Sequence, residues 1–203
     1  MAENAPYIMS FSSGGLSLRE SLIATNAFLS SNDWDQARKL VIQENLLQSR
    51  MVSSAKRLLS EIIPRLQLFS ERELHLFRSS SDQDQHHLLW LAICRRHGFI
   101  ADFYTQVVHD RYLGLKETVG NDEFNIFWTQ KAMEHPELER ISDLTREKLR
   151  TVVFKMMREV GLITKDNHIN TVLLSPLVQN NILLHAPQEL SWFTTIDDKG
   201  RRI

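Results

Sequence analysis

A single cysteine, Cys94, is all the thiol chemistry this 203-residue chain carries. One thiol cannot close an intramolecular disulfide or supply the thiolate cluster of a zinc site. It lies in the apolar run HHLLWLAICRRH, where a free cysteine packs as a small hydrophobe. Charge of one sign is just as scarce, with 24 Lys and Arg against 25 Asp and Glu for a net of -1. The total exerts no global pull on a polyanion, so any nucleic-acid surface has to come from local segregation of charge. The longest uninterrupted apolar run, Leu88 to Cys94, is far short of the ~20 residues a membrane span needs. The opening MAENAPYIMSFSS has neither a basic leader nor a long apolar core. No signal peptide and no membrane partner are expected, and the chain reads as cytoplasmic.

Catalytic constellations are missing as well. There is no Gly-x-Ser-x-Gly elbow, and Cys94 has no evident base partner. Gly14-Gly15 precedes a helix-like segment, but no Lys comes after it at phosphate-loop spacing, so the Ser/Gly loop reads as a turn and cap or as an anion cradle. No two histidines stand four apart, the spacing that puts two metal ligands on one helix face. The carboxylates Asp82, Asp84 and Asp102 read as helix caps or solvated groups. These absences set the expectation of a non-enzyme with no cofactor and no metal.

What is present is an ordinary globular composition, 42% hydrophobic and 24% charged, long enough for one large or two small domains. Apolar residues recur at helical spacing through most of the chain. Ser17 with Glu20, and Ser70 with Glu73, have capping-box spacing. The segment Gln83 to His97 is apolar almost all round and is expected to be the buried helix of a bundle. The stretch Leu113 to Asp122, with two glycines and mixed charge, is the best domain boundary. Beyond it come three helical segments, the third ended by Gly161, and then Leu162 to Leu174 around the turn KDNH, a small β-hairpin. That order is the order of a winged helix-turn-helix, although winged helices also serve in protein docking. The expected fold class is therefore mainly α. An N-terminal helical bundle over residues 10–113 precedes a C-terminal winged helix-turn-helix-like domain over 121–203, with one small β-hairpin.

The organising stretch is Asn45 to Leu68. As a helix it gathers Val52, Ala55, Leu59, Ile62 and Leu66 on one stripe. The opposite side carries Arg50, Ser53, Lys56, Arg57 and Ser60, with Arg65 at its edge. Arg and Lys neutralise phosphates, and Ser can donate to phosphate oxygens. A solvated basic face is the plainer alternative. A second cationic set lies on the third helical segment of the second domain, with Lys148, Thr151, Lys155 and Arg158 on one face. The turn after it adds Lys165, and a basic tail adds Lys199, Arg201 and Arg202. Glu147 and Glu159 dilute that second surface.

FSSGGLSLRESL near the start, succeeded by ENLLQSRMVSSAKRLLSEII, resembles the A protein of bacterial BREX phage-defence systems, the BrxA family. The likeness is strongest over residues 10–68, where SSAKR after NLLQ-x-R is its distinctive string. Pro64 departs from it, standing where a polar helix former is expected and where a proline would kink the helix. The resemblance implies a small, non-enzymatic, DNA-binding accessory of a multi-gene defence system. Its expected partners are DNA, with RNA as an alternative nucleic acid, and other BREX proteins. A second reading is an adaptor that docks onto larger BREX components through its helical faces.

Overall fold

The computed structural model describes residues 5–11, 14–196 and 199–202, and divides the chain into two compact units. One unit is the contiguous segment Leu16–Arg96, and the other joins the chain up to Gly15 to everything from His97 onward. This division lies ahead of the boundary expected at Leu113 to Asp122. The reason is aromatic packing. Phe99 and Phe103 stand 5.2–5.4 Å, centroid to centroid, from Phe127, Trp128 and Phe124, so the segment after His97 packs with the C-terminal helices.

The contiguous unit is an all-α bundle, as its periodicity predicts. Its helices are α1 (Leu18–Ser31), α2 (Trp34–Gln43), α3 (Val52–Leu66), α4 (Glu71–Ser79) and α5 (Asp82–Arg96). Short polar side chains start several of them by accepting the first free N–H groups. Asp33 Oδ1 accepts from Asp35 N and Gln36 N at 2.7 and 2.8 Å to open α2. Ser70 and Glu73 form the full reciprocal box at α4. Ser17 does not cap α1: it takes a left-handed backbone, φ 55°, and its side chain makes no cap bond. An N-cap needs extended backbone to aim its oxygen at the next turn. The consecutive run from Leu88 to Ile93 in α5 is fully buried, which makes α5 the central helix of the bundle. Arg95, at its end, pairs with the buried Glu73 at 2.8 Å.

The second unit is also helical. It comprises α6 (Gly98–Phe103), a π-helical turn over Tyr104–His109, α7 (Asp110–Leu113), α8 (Asn121–Ala132), α9 (Pro136–Glu139), α10 (Asp143–Val160) and α11 (Pro176–His185), then a 3-10 turn over Pro187–Trp192. Ser142 caps α10, accepting Thr145 N at 3.4 Å. Gly161 ends it in the left-handed region, φ 86°, which glycine occupies without a Cβ penalty.

After α10 the chain makes a narrow antiparallel turn, shorter than the hairpin expected over Leu162 to Leu174. Ile163 pairs with Ile169, and Asn170 N donates to Leu162 O at 2.9 Å. The segment before α8 joins from the other side. Thr118 pairs with His168, and Ile169 N donates to Glu117 O at 2.8 Å. Val172 leaves the turn because its N–H goes to Thr194 O at 2.7 Å instead.

An N-terminal strap completes this unit. The Tyr7 ring stacks on His135 at 3.9 Å, its N–H donates to Glu137 Oε1 at 2.7 Å, and its hydroxyl donates to Asp102 at 2.5 Å. Burial and the Asp102 carboxylate hold that hydroxyl well above the usual tyrosine range. His97 Nδ1 lies 2.8 Å from Ile8 O, and Phe11 is buried against the His97 ring.

Candidate nucleic-acid interface

Helix α3 begins at Val52 because the preceding turn leaves Met51 extended, φ -122°, and the chain then runs without a break to Leu66. Pro64 lies inside the helix, in its last turn, so the helix carries on past Ile63. Proline there forfeits one internal hydrogen bond, a loss that matters less near a helix end than in its middle. Ala55, Leu59, Ile62, Ile63 and Leu66 are buried and form the inner side. Ser53, Lys56, Arg57 and Ser60 are exposed on the outer side; Arg50, expected on that face, is exposed too but lies in the turn ahead of the helix, which begins only at Val52.

The side chains of Arg50, Lys56 and Arg57 have no hydrogen-bond or ion-pair partner among the described residues. No acidic residue stands in the first turn of α3. Two free cations and an exposed hydroxyl on one helix face, with a third free cation in the turn just before it, can meet several phosphate oxygens without first breaking an internal contact.

Arg65 does not belong to this face. It is only 4% exposed, and its Nη2 donates to the carbonyl of Leu16 at 2.7 Å. The spacing explains the correction: Arg65 stands three residues after Ile62, on the buried side of the helix. Val52 differs in the opposite sense. It continues the apolar stripe one turn before Ala55, yet no described residue covers the helix start there, and it is 57% exposed.

On α10 the inner residues Leu149, Val152, Val153, Met156 and Val160 are buried, and the outer set is exposed as the periodicity predicts. Most of its polar groups are engaged. Lys155 Nζ donates to the carbonyl of Gly14 and lies 3.7 Å from Glu159. Arg158 donates to Asn167 Oδ1 at 2.6 Å, fastening the turn to the helix, and its guanidinium lies over the Phe154 ring. Thr151 Oγ1 donates back to Glu147 O at 2.9 Å. Along the flank, Arg150 reaches Asn125 and Arg146 reaches Asp143. Lys148 and Lys165 are exposed with no partner among the described residues. In the tail, Arg202 donates to Tyr112 O at 2.5 Å and stacks over the Tyr112 ring, so it is held rather than loose.

The tie from Lys155 to Gly14 joins residues 141 apart in the chain, which no local pattern announces. Of the Ser/Gly loop read as a turn or anion cradle, Ser12 and Ser13 lie outside the described residues. No three His, Cys, Asp or Glu side chains gather at metal-binding distance among the described residues. No described helix is long and apolar enough to cross a membrane.

A sequence model of the BrxA family matches residues 5–185. The chain belongs to the BrxA family. Among its BrxA relatives, the BREX protein BrxA of Escherichia coli O9:H4 (strain HS) is 25% identical over 179 residues, covering 87% of this chain and 84% of the relative. The BREX protein BrxA of Paramagnetospirillum magneticum (strain ATCC 700264 / AMB-1) is 27% identical over 175 residues, 83% of this chain and 88% of that one. A crystal structure of an uncharacterized protein from Magnetospirillum magneticum matches with a TM-score of 0.82 at 24% identity. It covers 93% of this chain and 98% of the other, and shows that the two share a fold. The BrxA match spans both α3 and α10, and includes all of the chain from Ala5 to His185.

Proposed function

We propose that this chain is a non-enzymatic, DNA-binding accessory protein of a bacterial BREX phage-defence system, with RNA as a weaker candidate ligand. The observation that carries the reading is the start and outer face of α3, where Lys56 and Arg57 on the helix and Arg50 in the turn before it are exposed and free among the described residues. Cations that serve the fold are tied to it, as Arg65, Lys155 and Arg158 are. Unattached ones side by side at the start of a helix suit a polyanion. The BREX names of the relatives support its place in such a system.

A winged helix-turn-helix reading of the second unit stands on α8, α9, α10 and the turn paired with Thr118. In that reading α10 lies toward the duplex, with Lys148 on it and Lys165 in the turn after it as the free cations. Because Lys155 and Arg158 are engaged within the unit, α10 contributes less than α3.

The test is a gel shift of purified protein on non-specific duplex DNA over a series of salt concentrations. If Arg50, Lys56 and Arg57 each meet one phosphate, the log–log slope is roughly -3, approaching roughly -5 if Lys148 and Lys165 add theirs. Absence of binding at micromolar protein, or a flat salt dependence, would remove the reading.

The alternative, an adaptor that docks onto larger BREX components, has one observation in its favour. The exposed Ile126 and Met133 border an open groove of about 340 Å³ on α8, together with Asn125, Thr129 and Gln130. On that reading Ile126→Asp/Met133→Asp abolishes co-purification with other BREX proteins and leaves duplex binding intact.

A further inference from the structure

Two large apolar side chains stand exposed where α3 begins. Met51 is 63% exposed and Val52 57%, consecutive in the chain between Arg50 and Ser53. Single exposed apolar residues are common on protein surfaces and ask for no explanation. These two are adjacent, with Arg50 just before them in the chain and Lys56 one helical turn after Val52.

Their placement is also fixed by the backbone. The turn before them uses left-handed residues at Asn45, φ 47°, and Gln48, φ 53°. Asn45 Oδ1 accepts from Ser49 N at 3.0 Å, and Asn45 O accepts from Gln48 N at 2.8 Å. Leu47, in the middle of the turn, is buried. Met51 and Val52 are therefore presented from an anchored turn running into the first residues of a 15-residue helix.

Resting on the DNA-binding reading above, we propose that Met51 and Val52 form an apolar wedge that enters duplex DNA at a base step. Arg50, Lys56 and Arg57 hold the flanking phosphates. Charge complementarity chooses the occupant, because an exposed apolar tip with the unpaired Arg50 just before it and Lys56 one turn after Val52 is drawn to a polyanion. Apolar wedges of this size flanked by Arg and Lys partly unstack a step and kink the helix away from them. The energetic division is simple. The cations supply the salt-dependent part of binding, and the wedge supplies a salt-independent part together with a bend.

The experiment uses the full chain and a short duplex with a donor and an acceptor dye at its ends. Wild type is expected to bind and to raise energy transfer as the ends approach. Met51→Ala/Val52→Ala is expected to weaken binding on the order of fivefold, leave the salt slope unchanged and abolish the rise in transfer. Met51→Leu/Val52→Ile, which keeps the apolar volume, retains the bend and controls for any loss of folding in the alanine variant. Lys56→Ala/Arg57→Ala shows the converse, a shallower slope with the bend preserved at saturation. If wild type binds without a change in transfer, or the alanine variant bends the duplex as wild type does, the wedge is overturned and DNA binding stands. If wild type does not bind duplex at all, the DNA-binding reading fails and the wedge fails with it.

Discussion

Removing Lys56 and Arg57 together separates a binding surface from a structural one. Both side chains point out from α3, and neither has a partner among the described residues. Their exchange for alanine breaks no contact and places a good helix former at both positions. The thermal unfolding midpoint of Lys56→Ala/Arg57→Ala is therefore expected to match wild type. Two lost phosphate contacts should lower the salt slope by roughly 1.8, from about -2.7 for three contacts to about -0.9 for Arg50 alone. At moderate salt the affinity should fall on the order of tenfold or more, since about 1.4 kcal/mol is a factor of ten. Leu59→Ala inverts the pattern. Leu59 is completely buried, so the change costs about 2–5 kcal/mol of stability and touches binding only through unfolding. Circular-dichroism melts and salt-series gel shifts on the two variants decide the matter. A Lys56→Ala/Arg57→Ala protein that melts early would refute the assignment of these residues to a free surface. One that binds normally, while Lys148→Ala/Lys165→Ala does not, would move the interface to α10.

Buried groups have consequences of their own. Arg65→Met is expected to lose about 1.5–3 kcal/mol in urea unfolding, the worth of a charged hydrogen bond, while the folded protein keeps its salt slope. Phe11→Ala should cost about 3–5 kcal/mol, because the ring is buried, and hydrogen exchange should show the loss in the unit from His97 onward rather than in α1 to α5. His87 is held neutral with a pKa of about 4 against 6.5, by burial first, with Asp84 opposing and His86 adding. The unfolded chain thus takes up this proton first as pH falls. The contribution is whole above about pH 6.5, is lost on the way down to about 4 and totals about 3 kcal/mol, at about 1.36 kcal/mol per pH unit. His87→Gln should flatten that part of a pH-stability curve measured by denaturant.

The parts of this structure that local rules govern are legible in the sequence. The period of apolar residues places α3, α5 and α10 and their inner faces, and the Ser70–Glu73 spacing announces its capping box. Misreadings come where long-range packing decides. Glycine-rich composition draws the domain boundary to Leu113–Asp122, whereas the aromatic cluster from Phe99 to Trp128 joins the two sides of it. Arg65 reads as a surface cation by its charge, but a carbonyl 49 residues away takes it into the interior. Lys155 and Arg158 are legible as exposed cations but not as cations already engaged, since Gly14 and the side chain of Asn167 reach them only in the folded unit. Of the candidate site, the outer face of α3 is the part open to sequence reasoning, because helical periodicity alone sets it.

The strap has a consequence for the order in which the chain acquires structure. Helices α1 to α5 lie in one contiguous stretch and can assemble as soon as that stretch is made. Tyr7, Ile8 and Phe11 cannot dock until His97, Phe99 and the residues around His135 exist. The closure from Ile8 to His97 spans 89 residues, an entropic cost of about 4 kcal/mol for a flexible loop. A bundle that has already folded between them shortens the loop to be closed. During synthesis Tyr7, Ile8 and Phe11 leave the ribosome before the bundle yet find their place after it, so the bundle matures while the segment ahead of it waits.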